Sequence, residues 1–390
     1  MEDITFSIFN HGQTAVARMQ ALLKQFEQEE KIRVRLEMIP WAMGWSRMVE
    51  VALYHLGPDV SEIGSTWVMD FVRTDALRPY SPAEVAFIGD GKQYFDSCVA
   101  GGVSLGEKPV TWAMPLAGDA RIIFYRLDLL QRAGVDEATA FASPAKFEGA
   151  LARLKALGIP TPLALPTQRS RNSLHSLAAW VWGAGGNFLS ADGVHVEFDL
   201  PKALEGFKSY FGLGEYLGKT RLDEYDSDAL FLTGQAATTI SGYWLLHENK
   251  AAEVAENLGV ASVPGVPFVG GEHLAIWRHA RNPQAALKLV KFISRAKSGE
   301  SVYPQIGLPP SPDGWQRPPF NQAGYDVLLN AMRTGRAFPT SPLWGLVEKR
   351  LIDVMPEIWN DVLAHPERTE KTVETQIGSL AQRLRMTMKA

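Results

Sequence analysis

A chain of 390 residues, 46% hydrophobic and 21% charged, is long enough for about two to three domains, each with its own buried core. A net charge of −4 and a pI near 6.1, with no Lys/Arg-rich run, give no electrostatic reason to bind nucleic acid or an anionic membrane. The single cysteine, Cys98, forms no internal disulfide, and no Cys/His cluster has metal-ligand spacing, so neither a metal nor a cofactor is expected.

The chain opens MEDITFSIF, directly on a strand, so a secretory signal is not expected within it, and no apolar stretch approaches the roughly 20 residues of a membrane span. ITFSIF, the amphipathic AVARMQALLKQFEQEE and RVRLEMI, closed by Pro40, read as strand, helix and strand, the start of an α/β domain. The helix SRMVEVALYHL then stops at Gly57 and Pro58, and GPDVSEIGSTW supplies a short apolar strand. Asp128 to Leu157 is mostly helical, with Ser143 as N-cap and Pro144 at the first helical position; TPLALP reads as a buried strand, and the helix LHSLAAWVWGAGG stops at its glycines. LGVASVPGVPFVGGEHLAI contains two strand-like runs joined by Pro and Gly, as suits a crossing between lobes, and NPQAALKLVKFISRA is a helix. LPPSPDGWQRPPF is the clearest linker candidate, and the remainder of the chain reads as helix to its end.

Familiar catalytic patterns fail on inspection. FGLGEYLGKT has Leu213 where a phosphate-binding loop needs its first glycine, and the glycines of GAGGNF close a helix instead of opening one. No Gly-x-Ser-x-Gly elbow or His-Glu-x-x-His pair is present, and Asp226 with Asp228 reads as a solvated loop. Eleven tryptophans remain to be placed in cores or along a binding cleft.

Five segments in order then carry a resemblance. They are the opening strand-helix-strand with GPDV; AMPLAGDARIIFYRLDLLQRAGV; FLTGQAATTISGYW; GVASVPG with NPQAALKLVKFIS and IGLPPS; and FPTSPLW before the last helices. Together they resemble the extracellular solute-binding proteins of bacterial ABC importers, specifically the carbohydrate group. Arg126 in place of a common Asn, SPAKFEGAL without the usual Trp, and Thr238 in place of a frequent Met depart from the pattern at positions that concern packing. The resemblance implies a two-lobed type II periplasmic-binding-protein fold of α/β class, each lobe a mostly parallel sheet flanked by helices, with a helical C-terminal portion. It implies an N-terminal lobe of 1–112 and 265–312, a C-terminal lobe of 113–264 and 313–390, and a ligand cleft and hinge between them. It further implies a monomer that is not an enzyme, that works in the periplasm or outside the cell, free or lipid-anchored, and that hands a mono- or oligosaccharide to a membrane permease.

A pyranose has apolar C–H faces and a rim of hydroxyls, so flat rings and planar polar groups suit it. By the resemblance, Trp244 is the cleft-facing aromatic after Gly242 and Tyr243, against the alternative of a core ring. Asp119 matches a hydroxyl-binding acid, or else caps Arg121. Ser65, Thr66 and Trp67 follow a strand where open α/β sheets bind ligands, with Trp67 equally readable as core. Asn10 and His11 end the first strand, Trp41 is a rim ring and Trp45 a core one. Arg171, Asn172 and His175 open a helix that presents contacts, with His175 equally readable as a structural histidine. Glu272 and His273 follow Gly271 at a crossover, and Trp344 matches a stacking position in the C-terminal lobe. Two alternatives stay open: a glycan-active enzyme using Asp119 and Glu272, and a binder of peptides or of an acidic sugar derivative held by Arg121, Arg169 or Arg171.

Overall fold

The apolar runs at the start of the chain are buried on both faces, as parallel strands require: Ile4, Phe6 and Ile8 are covered on one side, Thr5 and Ser7 on the other. In the computed structural model, which describes residues 2–89, 93–106, 108–218, 220–294, 303–322 and 324–389, these runs are the first of nine described strands. The strands are β1 (Glu2–Phe9), β2 (Ile32–Ile39), β3 (Val60–Gly64), β4 (Ala113–Ala120), β5 (Ile122–Arg126), β6 (Leu163–Ala164), β7 (Thr238–Ser241), β8 (Leu258–Ser262) and β9 (Val269–Ile276). They form a five-stranded sheet in the order β2-β1-β3-β9-β4 and a four-stranded sheet in the order β6-β7-β5-β8.

The chain divides into two units, Met1–Asp119 with Val269–Tyr325 and Ala337–Gly345, and Ala120–Phe268 with Asp326–Arg336 and Leu346–Ala390. In the first, β1 runs parallel to β2 and β3, and β9 is antiparallel to β3. The crossover helix Gln13–Glu30 buries Ala15, Met19, Leu22, Leu23 and Phe26 at helical spacing. The Pro-rich stretch expected as a linker is a packed part of this unit: it holds the 3-10 turn Pro312–Gln316, and Trp315, 3% exposed, donates its indole N–H to the Pro309 carbonyl at 2.9 Å. Residues 337–345, expected in the C-terminal lobe, also belong here; Leu105 N–H donates to the Thr340 carbonyl at 3.2 Å.

In the second unit β6 and β7 are parallel, but β5 is antiparallel to both β7 and β8. This sheet is therefore mixed and not mostly parallel: β5 lies between β7 and β8 and runs against both. The helix Pro144–Ala156 is capped by Ser143, whose Oγ accepts from Lys146 N–H at 3.3 Å, and the helix Arg171–Gly183 ends where Gly185 adopts φ +79°. Two long helices, Trp344–Ala364 and Thr369–Lys389, finish the chain.

Asp59, at the entrance to β3, is 2% exposed; its Oδ2 accepts from Thr5 N–H and its Oδ1 from Arg281 N–H, both at 2.8 Å. Asp59→Ala is expected to orphan both donors and to lower unfolding free energy by about 2–4 kcal/mol, with Asp59→Asn costing less. Urea denaturation measures this, and a loss below about 0.5 kcal/mol for the alanine variant would contradict the role given to the carboxylate.

Candidate functional site

In the first unit the chain leaves β1 at Phe9 beside a buried carboxylate. Glu62 of β3 is 1% exposed; its Oε2 accepts from Phe9 N–H and its Oε1 pairs with His11 Nε2, each at 2.8 Å. Burial pulls the His11 pKa down, but the charge of Glu62 and its hydrogen bond outweigh that, and the imidazole titrates above its ordinary 6.5. Trp41, just past β2, stacks on Phe9 at 4.3 Å between centroids and meets the His11 ring edge-on at 5.3 Å, yet stays 40% exposed. Asn10 is exposed, its Oδ1 accepting from Gly12 N–H at 3.0 Å. Asn10, His11 and Trp41 are thus brought together. Glu62 was missed; its signal is a carboxylate in the middle of an apolar strand, where only a partnered acid is tolerated.

The other rings of this unit are distributed differently from expectation. Trp67 is 8% exposed within a core of Phe9, Ile63, Phe71 and Trp277, whereas Trp45, expected as core, is 37% exposed; it meets Trp67 edge-on and Phe71 at a tilt of 33°. Trp344 belongs to the first unit, is 2% exposed and stacks on Phe338 at 4.2 Å, so it offers no open face for a sugar. Ser65 and Thr66 share with it a cavity of roughly 10 Å³, room for about one water.

Asp119 and Glu272 are half-buried on the neighbouring strands β4 and β9. Gly271 permits that neighbourhood: at φ +128° a Cβ on it would lie 2.1 Å from the Ala117 carbonyl oxygen. His273, one residue on, faces inward. It is 1% exposed, its Nε2 bonds the Cys98 carbonyl at 2.8 Å, and burial drives its pKa down to about 4, so it is a structural histidine and not a contact.

In the second unit Ser170 caps the helix Arg171–Gly183 by accepting from Asn172 N–H at 3.0 Å, and this orients the first turn. Asn172 and His175 then meet Arg121, which lies between β4 and β5 and is 3% exposed. Arg121 Nη2 donates to Asn172 Oδ1 at 2.8 Å and to His175 Nδ1 at 3.0 Å. An arginine only donates, so His175 is neutral with its proton on Nε2. Burial, then the charges of Arg121 and Arg171, hold its pKa well below 6.5, and its ring stacks on Phe268 at 4.0 Å.

The Arg121 guanidinium also lies 4.7 Å from the ring centroid of Trp244. Trp244 is half-buried in the 3-10 turn Tyr243–Leu246 and donates Nε1–H to Asp228 Oδ2 at 2.8 Å. Asp228 is therefore not in a solvated loop; it sits on the helix Glu224–Leu232, and burial pushes its carboxyl above the ordinary range against the opposing pull of Trp244, Ser241 and Arg121. A Cβ on Gly242 would lie 1.9 Å from the Trp244 ring, so only glycine lets the indole fold back there. Tyr243 is 5% exposed and packs against His247, away from the role expected of it. Arg171 is 3.4 Å from the buried Glu348, and Arg169 pairs with Asp353 at 2.8 Å.

Comparison with known proteins adds three relatives and a family. Residues 11–300 match the family model described as bacterial extracellular solute-binding protein. A binding protein of Brucella abortus is 25% identical over 286 residues, 69% of this chain, and the match spans 66% of that protein, just under two thirds. The diacetylchitobiose binding protein DasA of Streptomyces coelicolor is 24% identical over 347 residues, 84% of this chain and 77% of DasA. The sugar-binding protein MalE of Xanthomonas citri has a TM-score of 0.80 at 21% identity, covering 99% of both chains, a likeness of fold.

The His11–Glu62 pair makes a pH-dependent contribution. Because the folded pKa of His11 lies above 6.5, its stabilisation is complete below the unfolded value and is lost as pH rises through the folded one. The unfolding free energy of the parent protein minus that of His11→Gln is expected to be largest below pH 6.5 and to shrink as the pH rises above it through the folded value. A difference flat across that range in denaturant titrations would show that His11 is not charged in the fold.

Proposed function

Because the chain belongs to the bacterial extracellular solute-binding proteins, we propose that it captures a mono- or oligosaccharide outside the cytoplasmic membrane and delivers it, chemically unchanged, to the permease of an ABC importer. The observation that carries this reading is Trp244: its N–H is already satisfied by Asp228, so the indole has its flat face, and no donor, to offer. That suits a pyranose C–H face, with Asn172 near by for hydroxyls. The first unit supplies a second set, the open ring of Trp41 with Asn10 and His11, and Asp119 and Glu272 are further proposed contacts. Relatives named for sugar and diacetylchitobiose binding support the carbohydrate class. A neutral sugar is favoured over an acidic one, since Arg169 and Arg171 are ion-paired with Asp353 and Glu348.

A thermal-shift screen over neutral and acidic mono- and oligosaccharides tests the reading: a ligand at 100 times its Kd adds about 2.7 kcal/mol of stability. Trp244→Ala is expected to weaken the best ligand by on the order of 1–2 kcal/mol while the melting temperature without ligand moves little. Parent-like affinity in a folded but strongly destabilised variant would make Trp244 a packing residue. Recovery of cleaved sugar after incubation would favour the enzyme alternative.

A further inference from the structure

The surroundings of Trp244 fix it on three sides. Its indole N–H points at Asp228 Oδ2, 2.8 Å away, from a helix distant in sequence from the turn that carries the ring. One face of the ring is occupied by the Arg121 guanidinium, itself held at Nη2 by Asn172 and His175. The side toward its own backbone is closed by Gly242, where even a methyl group would stand 1.9 Å from the ring. Gly242 has φ −93° and ψ 175°, a conformation open to any residue, so the demand for glycine there comes from the ring and not from the backbone. Holding the ring in one rotamer lowers the entropy lost when a ligand stacks on it.

We propose that Asp228, Arg121 and Gly242 are positioning residues that hold the Trp244 indole in a single orientation before ligand arrives, so that affinity and ring selectivity in this unit are set by residues that do not touch the ligand. This rests on the reading of Trp244 as a ligand-facing ring. Asp228 acts as an acceptor, so Asn serves in its place where Ala does not; Gly242 acts by having no side chain, so Ala there displaces the ring without altering any hydrogen-bonding group.

The experiment has a ligand-free and a ligand-bound arm. In the free protein, the Trp244 indole N–H resonance is assigned as the one lost in Trp244→Phe. Asp228→Ala and Gly242→Ala are expected to shift that resonance and speed its exchange with solvent, and Asp228→Asn is expected to keep it in place. In the bound arm, calorimetry uses maltose, maltotetraose and N,N′-diacetylchitobiose as probes. For whichever of these binds, Asp228→Ala and Gly242→Ala are expected to weaken affinity about tenfold or more, and Asp228→Asn less than about threefold. In the Trp244→Phe background, which has no N–H to hold, Asp228→Ala is expected to add nothing. An unmoved resonance in Asp228→Ala, or an equal loss in the Phe background, would overturn the proposal. If no probe binds, the resonance alone decides. If Trp244→Ala binds as the parent does while the resonance behaves as expected, the ligand-facing reading fails, and with it the link between orientation and affinity.

Discussion

Two buried carboxylates flanking and within one short strand set the geometry of the first unit. Asp59 and Glu62 each accept a backbone N–H from β1, at Thr5 and at Phe9, and so pin the second half of that strand to β3. A buried charge is tolerated only when hydrogen bonds replace its water, and here the replacement comes from main-chain donors that a parallel neighbour leaves within reach. The same requirement reaches outward. Glu62 still has an oxygen to satisfy, His11 satisfies it, and Trp41 then stands against His11 with its own face on Phe9. The open ring at the strand ends is thus a late link in a chain that begins with a carboxylate in the sheet.

The second unit solves the opposite problem, a buried cation. Arg121 bonds two neutral acceptors, Asn172 and His175, and lies over the indole of Trp244. The neutrality of His175 is a consequence: an imidazolium there would face a guanidinium at hydrogen-bond distance with no lone pair to offer it. The helix Arg171–Gly183 supplies both acceptors because they are three residues apart, on one face, in a first turn whose start is fixed by the Ser170 cap.

Local signals in the sequence were legible where local chemistry decides. The Ser143–Pro144 start, the glycine stop after Gly183 and the period of the helix Gln13–Glu30 can each be read within a single turn or two. The destinations of the aromatic rings could not. Trp67 is enclosed in a core that draws Phe9 and Trp277 from distant parts of the chain, whereas Trp45 is left at the margin. Trp344 is covered by Phe338 because residues 337–345 return to the first unit, which no pattern in FPTSPLW announces. Asp228 looked like one of many surface acids until β7 delivered Trp244 to it. Periodicity carries no information about which of these contacts form.

The placement of β9 has a consequence for how the protein is made. The chain passes from one unit to the other after Asp119, Phe268, Tyr325, Arg336 and Gly345, and β9, which begins at Val269, lies between β3 and β4 in the first sheet. A ribosome that has delivered the first four strands has therefore delivered a sheet with a missing interior strand, whose inner edges have no partner until residue 276 has emerged. The first sheet is thus completed only when most of the chain has been made.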